Sequence, residues 1–137
     1  MSVQLNPYLS FTTNARDAME FYQSVLGGEL DISTFGDFGQ SDTPLADLIM
    51  HANLATPSGF TLMAADSPPQ WDHIVGTNVS ISLSGTDTEE LRGYFAGLSE
   101  GGTILTPLAV QMWGDEFGML TDKFGIHWLV NITVEKA

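Results

Sequence analysis

Apolar and polar positions along this chain follow two rhythms, and the same order of rhythms occurs twice. In NARDAMEFYQSVLGGEL, beginning at Asn14, the residues Ala15, Met19, Tyr22 and Leu26 fall on one stripe of a helix. Asn14 is placed to cap that helix, and Gly27-Gly28 stops it, with one of the two glycines free to turn left-handed. In TDTEELRGYFAGLSEGGTI, Leu91, Tyr94, Phe95 and Leu98 form a second stripe. Thr86 and Glu89 have capping-box spacing there, and Gly101-Gly102 ends the helix.

Each helix follows a strand-like run, VQLNPYLSF before the first and TNVSISL before the second. Further strand-like runs follow each helix, the last opened by a glycine: Gly59 in GFTLMAAD and Gly125 in GIHWLVNI. The pattern predicts two β-α-β-β-β units, residues 1–66 and 76–134, joined by a connector, SPPQWDHIV, over 67–75. The expected fold class is α+β, with both units in one domain over 1–137. Two half-sheets with helices on one face are expected to curl into a cup, a curved mixed sheet with the helices outside.

The alternation also assigns faces. In GIHWLVNI, Ile126, Trp128, Val130 and Ile132 form the face expected to cover the helix, which leaves His127, Leu129 and Asn131 in the cup. For His51 the loop length decides. A two-residue turn at Pro57-Ser58 puts it under the helix, and a three-residue loop with Gly59 as a bulge puts it in the cup. The second keeps Met50, Ala52 and Leu54 buried and leaves His51 and Asn53 wet, so it is preferred. In the first strand the phase stays open, and either Tyr8 or Phe11 faces the cup.

Composition narrows the function classes. Seventeen acids against Arg16, Arg92, Lys123 and Lys136 give a formal net charge of −13. Such a chain has no basic patch to neutralise phosphates, which argues against nucleic acid as a partner, and an anionic membrane surface repels it. There is no cysteine, so disulfides, thiol chemistry and thiolate metal sites are ruled out. No apolar run approaches transmembrane length and no signal-peptide layout opens the chain, so a cytoplasmic protein is expected. No phosphate loop or dinucleotide fingerprint is found either.

Taken together, LNPYLSF, NARDAMEFYQSVLGGEL, IMHANL, SGFTLMAAD and WGDEFGMLTDKFGIHW resemble the PhnB-like branch of the vicinal-oxygen-chelate superfamily. That superfamily includes glyoxalase I, bleomycin-resistance proteins and extradiol dioxygenases, and the resemblance spans nearly the whole chain. It implies the paired βαβββ fold, a homodimer, and small ligands bound in the cup. It does not imply one activity, because the fold hosts enzymes and pure binders. A demethylubiquinone methyltransferase label, often carried by relatives, finds no support in the residues, since a donor the size of S-adenosylmethionine calls for a Rossmann-like sheet.

Metal-using relatives place two ligands on the first strands of the units and two on the last strands. Carried over to this chain, those positions fall on Pro7, Met63, Asn78 and Leu129, none of them a histidine or carboxylate, so no metal and no cofactor is expected. The cup-lining residues expected to bind ligand are Leu9, Phe11, His51, Met63, Trp113, Phe117, His127 and Leu129. Trp113 and Phe117 are read either as a pocket wall or as residues that cap the end of the sheet or meet a second subunit. His51 and His127 are candidate acid–base residues on one reading and polar residues of a solvated face on the other. His73 reads as a loop residue, and FGDFGQSDTPLAD as a mobile surface loop without EF-hand spacing. The function expected is binding or sequestering of an unidentified small molecule. The alternative is a metal-independent or atypically metallated enzyme acting on a small carbonyl or ring substrate, with His51 or His127 as acid or base.

Overall fold

The computed structural model describes residues 3–39, 42–67 and 73–134. The chain divides into two compact units, Met1–Val75 and Gly76–Ala137. Much of the expected connector, with Gln40, Ser41 and the last residues, lies outside the described residues.

The first unit runs β1 (Tyr8–Phe11), α1 (Ala15–Leu26), β2 (Glu29–Thr34), a short 3-10 turn at Gly36–Phe38, β3 (Ile49–Ala55) and β4 (Thr61–Asp66). The second runs β5 (Ile81–Gly85), α2 (Thr88–Ser99), β6 (Thr103–Val110), β7 (Glu116–Thr121) and β8 (His127–Ile132). Each unit is βαβββ, and the fold is α+β as expected. Sheet order is β1-β4-β3-β2 in one and β5-β8-β7-β6 in the other, with β1 parallel to β4 and β5 parallel to β8. Each helix therefore carries the chain from one edge of its sheet to the opposite edge. Such a crossover has to lie across one face of the sheet.

Burial follows from that crossover. The apolar stripe of α1, with Ala18 added, is fully enclosed, and it packs on Ala52, Leu54, Leu62 and Ala64. In the second unit Leu91, Phe95 and Leu98 of α2 pack on Leu120, Trp128, Val130 and Ile132. Removing side chains of this size from water contributes about 1.5–3 kcal/mol each.

Two capping expectations are corrected. Asn14 makes no side-chain cap. The α1 terminus is held instead by buried Asp66 at the end of β4, whose Oδ1 accepts from the Ala15 N–H at 3.0 Å while Oδ2 accepts from the Ile49 N–H at 2.9 Å. A carboxylate brought in by the sheet serves the helix and β3 together, which a local pattern cannot reveal. In α2 the helix begins one residue later than the Thr86–Glu89 box supposes, and Asp87 is the cap, accepting from the Glu90 N–H at 3.1 Å.

The repeat is exact in its hairpins. Thr56 donates its N–H to the Phe60 carbonyl and accepts from Gly59 N–H, and Asp122 does the same with Ile126 and Gly125. Both loops thus hold three residues ending in a glycine of positive φ, 98° at Gly59 and 88° at Gly125. This loop length sets the phase of β3. One detail differs from expectation: the β2–β3 register shifts between Ser33 and Thr34, skipping Met50, so Ile49 rather than Met50 is buried beside Ala52.

Candidate functional site

In each unit the face of the sheet away from the helix collects the chemistry-bearing residues. On the first sheet, direct register neighbours across the four strands are Tyr8, Met63, Asn53 and Asp31. His51 lies further along β3, opposite Ser33. The Tyr8 hydroxyl reaches across β4 to His51 Nδ1 at 3.2 Å, with the two rings 5.7 Å apart. Ala65 occupies β4 there and leaves room for the crossing.

Leu9 and Phe11 are corrected. Register places Leu9 beside Ala64, on the helix-packed face, and the two residues are only 9% and 4% exposed. The open alternative in β1 resolves to Tyr8, which is 50% exposed on the face that carries Met63. The physical reason is the parallel pairing with β4. Once Leu62 and Ala64 face the helix, the apolar residues of β1 must join them.

On the second sheet, the helix-free face carries His127, Leu129 and Asn131 from β8, alternating with buried Trp128, Val130 and Ile132. Their partners on β7 are Thr121, Met119 and Phe117. His127 Nδ1 lies 2.9 Å from the Thr121 hydroxyl, and Asn131 donates to Asp115 Oδ2 at 3.1 Å. Trp113, 56% exposed in the β6–β7 turn, sets its ring at 67° to Phe117 with centroids 5.7 Å apart. Asp115 and Glu116 point to opposite sides, because Glu116 takes a two-pronged ion pair from Arg92 of α2. Sequence reasoning passed over Met119 and Thr121, although the every-second spacing from Phe117 identifies both. His51 and Met63 thus belong to the first unit, and Trp113, Phe117, His127 and Leu129 to the second. His73 is a half-buried residue in an irregular segment.

The donor set does not fit the metal that the superfamily fold implies. Met63 and Leu129 occupy matching places on β4 and β8, and their first-strand neighbours are Tyr8 and Ser82. Pro7 offers only a backbone carbonyl, which accepts from the Met63 N–H, and Asn78 lies exposed before β5 begins. No group of three or more histidines and carboxylates stands close enough to hold an ion among the described residues. Protein purified without added metal is expected to carry far less than one equivalent of divalent ion. Its melting temperature should not move with chelator, since an ion held only by the native state raises it. Dialysis-resistant stoichiometric metal in elemental analysis is the contrary result.

The loop between β2 and β3 is tied at its base. Phe35 N–H donates to Leu48 and Gly36 N–H to Ala46, while Asp37 and Thr34 exchange backbone-to-side-chain hydrogen bonds. The Thr34 backbone N–H, then its side chain, holds the exposed Asp37 carboxyl below the usual range. No helix among the described residues is long and apolar enough to cross a membrane.

A family model described as 3-demethylubiquinone-9 3-methyltransferase matches residues 3–131. The crystal structure of protein PA1353 from Pseudomonas aeruginosa is 39% identical, covers 98% of this chain and 100% of its own, and superposes with a TM-score of 0.86. The PhnB protein from Bacillus cereus is 26% identical over 96% of this chain and all of its own, with a TM-score of 0.72. A glyoxylase/bleomycin resistance protein/dioxygenase domain from Frankia shares the fold at a TM-score of 0.67 and 14% identity, covering all of this chain and 96% of its own. The chain therefore belongs to the PhnB-like family described as 3-demethylubiquinone-9 3-methyltransferase, and it shares its fold with the glyoxylase/bleomycin resistance protein/dioxygenase domain.

Proposed function

We propose that the chain is a small-molecule binding or sequestering protein of the glyoxalase/bleomycin-resistance fold, working without metal. The observation that carries this reading is the helix-free face of the second sheet. Met119 and Leu129 are register partners there, Phe117 lies two residues before Met119 on the same face, and all three are half-exposed, with polar His127 and Asn131 at the flanks. An apolar patch with a few placed polar groups is what a small, largely apolar ligand requires. The family description names a methyl transfer. The two mixed four-stranded sheets are not the doubly wound parallel sheet that binds dinucleotides, and the binding proposed here does not depend on that activity.

A thermal-shift screen across a metabolite panel tests the reading, followed by titration of Trp113→Ala with whichever compound stabilises the protein. Trp113 is half-exposed, so its truncation should alter stability by no more than about 0.5 kcal/mol. Loss of its aromatic wall should weaken binding by on the order of 1 kcal/mol or more. A variant that fails to fold, with no separate binding defect, counts against the assignment.

Acid–base catalysis is the second reading, favoured by the pairing of each histidine with a hydroxyl, His51 with Tyr8 and His127 with Thr121.

We further propose that the protein acts as a homodimer. Ile104, Leu105, Val110 and Met112 are large apolar side chains left exposed on β6 and the bend that carries Trp113, in a segment without a single charge. Light scattering at micromolar concentration should return twice the chain mass, and a monomer there sinks the proposal.

A further inference from the structure

The two units are built alike and yet differ on their helix-free faces. Matching the hairpins Thr56–Phe60 and Asp122–Ile126 brings each position of one sheet onto the other. Met63 then corresponds to Leu129, and their first-strand neighbours Tyr8 and Ser82 correspond. Asn53 matches Met119, His51 matches Phe117, and Asp31, opposite Asn53, matches Thr106, opposite Met119. At three of these places the first unit carries an amide, an imidazole or a carboxylate where the second carries methionine, phenylalanine or threonine. Packing against the helix explains none of these choices, because all of them lie on the other face.

The geometry points to the helix-free face of the first unit as a recognition surface for the ammonium group of a small organic amine, held by Asp31 and Asn53 beside Tyr8 and Met63. It rests on the reading of these sheet faces as ligand-binding surfaces. Asp31 and Asn53 are directly opposed on an antiparallel pair, which sets their Cβ atoms about 4.5–5.5 Å apart. Oxygen acceptors on two opposed side chains suit a group with three donors, such as an ammonium. Asp31 makes no ion pair among the described residues, where Arg92 with Glu116 does. Met63 and the Tyr8 ring, next along the same row, offer an apolar and π-bearing wall to the carbon next to the nitrogen. A chain of net charge −13 adds a long-range preference of the same sign, and it disfavours carboxylates at this face.

The test uses three probes with one ring and different heads: 2-phenylethylamine, 2-phenylethanol and 3-phenylpropionate. Each is titrated into the full-length, isotope-labelled protein while backbone amide shifts are followed. The amine is expected to shift Asp31, Asn53 and Met63 saturably, and to bind at least about tenfold more tightly than the carboxylate. Asp31→Asn should erase that preference, as should Asn53→Met, which writes the second unit's residue into the first. Asp17→Asn on α1 makes the same change of net charge and should leave the preference intact; thermal melts confirm that all three variants fold.

Equal loss in the Asp31 and Asp17 variants means diffuse attraction and overturns the inference. So does a carboxylate that binds as tightly as the amine. Shifts confined to Phe117 and Leu129, without head-group preference, also overturn it but leave the binding function standing. Wild-type protein that shows no shift with any probe at millimolar concentration overturns the inference, while the binding function is decided by the metabolite panel.

Discussion

Gly28→Ala and Gly102→Ala are each expected to leave little folded protein, with losses on the order of 3 kcal/mol or more. Both glycines follow a helix at the point where the chain slides past the end of a strand. A Cβ on Gly28 would lie 2.1 Å from the Ala55 carbonyl oxygen, and one on Gly102 would lie 2.3 Å from that of Thr121. Neither obstacle is a side chain that can swing away. Each is backbone in a hydrogen-bonded sheet. Gly28 adds a φ of 103°, which an L side chain rarely adopts, whereas Gly102 is purely a matter of space. Gly59→Ala is the contrast, with a φ of 98° but open surroundings, and its cost should stay near 1 kcal/mol. Urea melts of the three variants check this directly. A Gly102 variant as stable as the Gly59 variant would show that the strand end yields, and the close approach would lose its importance.

Asp66→Ala should cost about 3 kcal/mol or more. The carboxylate is 2% exposed and accepts two backbone N–H groups, Ala15 at the start of α1 and Ile49 at the start of β3. Truncation leaves both donors facing a dry gap, and a hydrogen bond to a charged acceptor is worth about 1.5–3 kcal/mol. Asp66→Asn keeps the shape but only one acceptor oxygen, so it should fall between wild type and alanine. Asn14→Ala should change almost nothing, since Asn14 forms no cap. Denaturant unfolding in which Asn14→Ala loses more stability than Asp66→Ala would reverse the assignment of which residue holds the helix.

The elements were legible in the sequence wherever local rules govern them. Both helices lie on the stripes that their apolar spacing marks, because an amphipathic stripe has only one way to be buried. The phase of β8 followed from strict alternation, and that of His51 followed from a three-residue loop ending in glycine. Legibility stopped where a distant partner decides. The parallel pairing with β4 turned Leu9 and Phe11 inward, although nothing within YLSF settles its own phase. Asp66 reads as an ordinary strand-end acid until the fold brings Ala15 and Ile49 to it. The skipped residue Met50 breaks the alternation of IMHANL without a glycine or proline to announce it. Tyr8 and His51 are separated by forty-three positions, so their contact belongs to the sheet and not to any motif.

The edge strand β6 bears on how such a protein stays dispersed. TILTPLAV is uncharged, and Ile104, Leu105 and Val110 are exposed along a strand whose outer side has no neighbour in its own sheet among the described residues. A straight strand of this kind is a template for runaway cross-β growth. Pro107 removes one donor from its middle, and the pairing with β7 slips twice, between Ile104 and Thr106 and again between Thr106 and Ala109. An incoming strand finds no long even ladder of donors and acceptors to copy. The irregularity thus acts as a guard against amyloid-like stacking, in a segment too apolar for charge repulsion to serve.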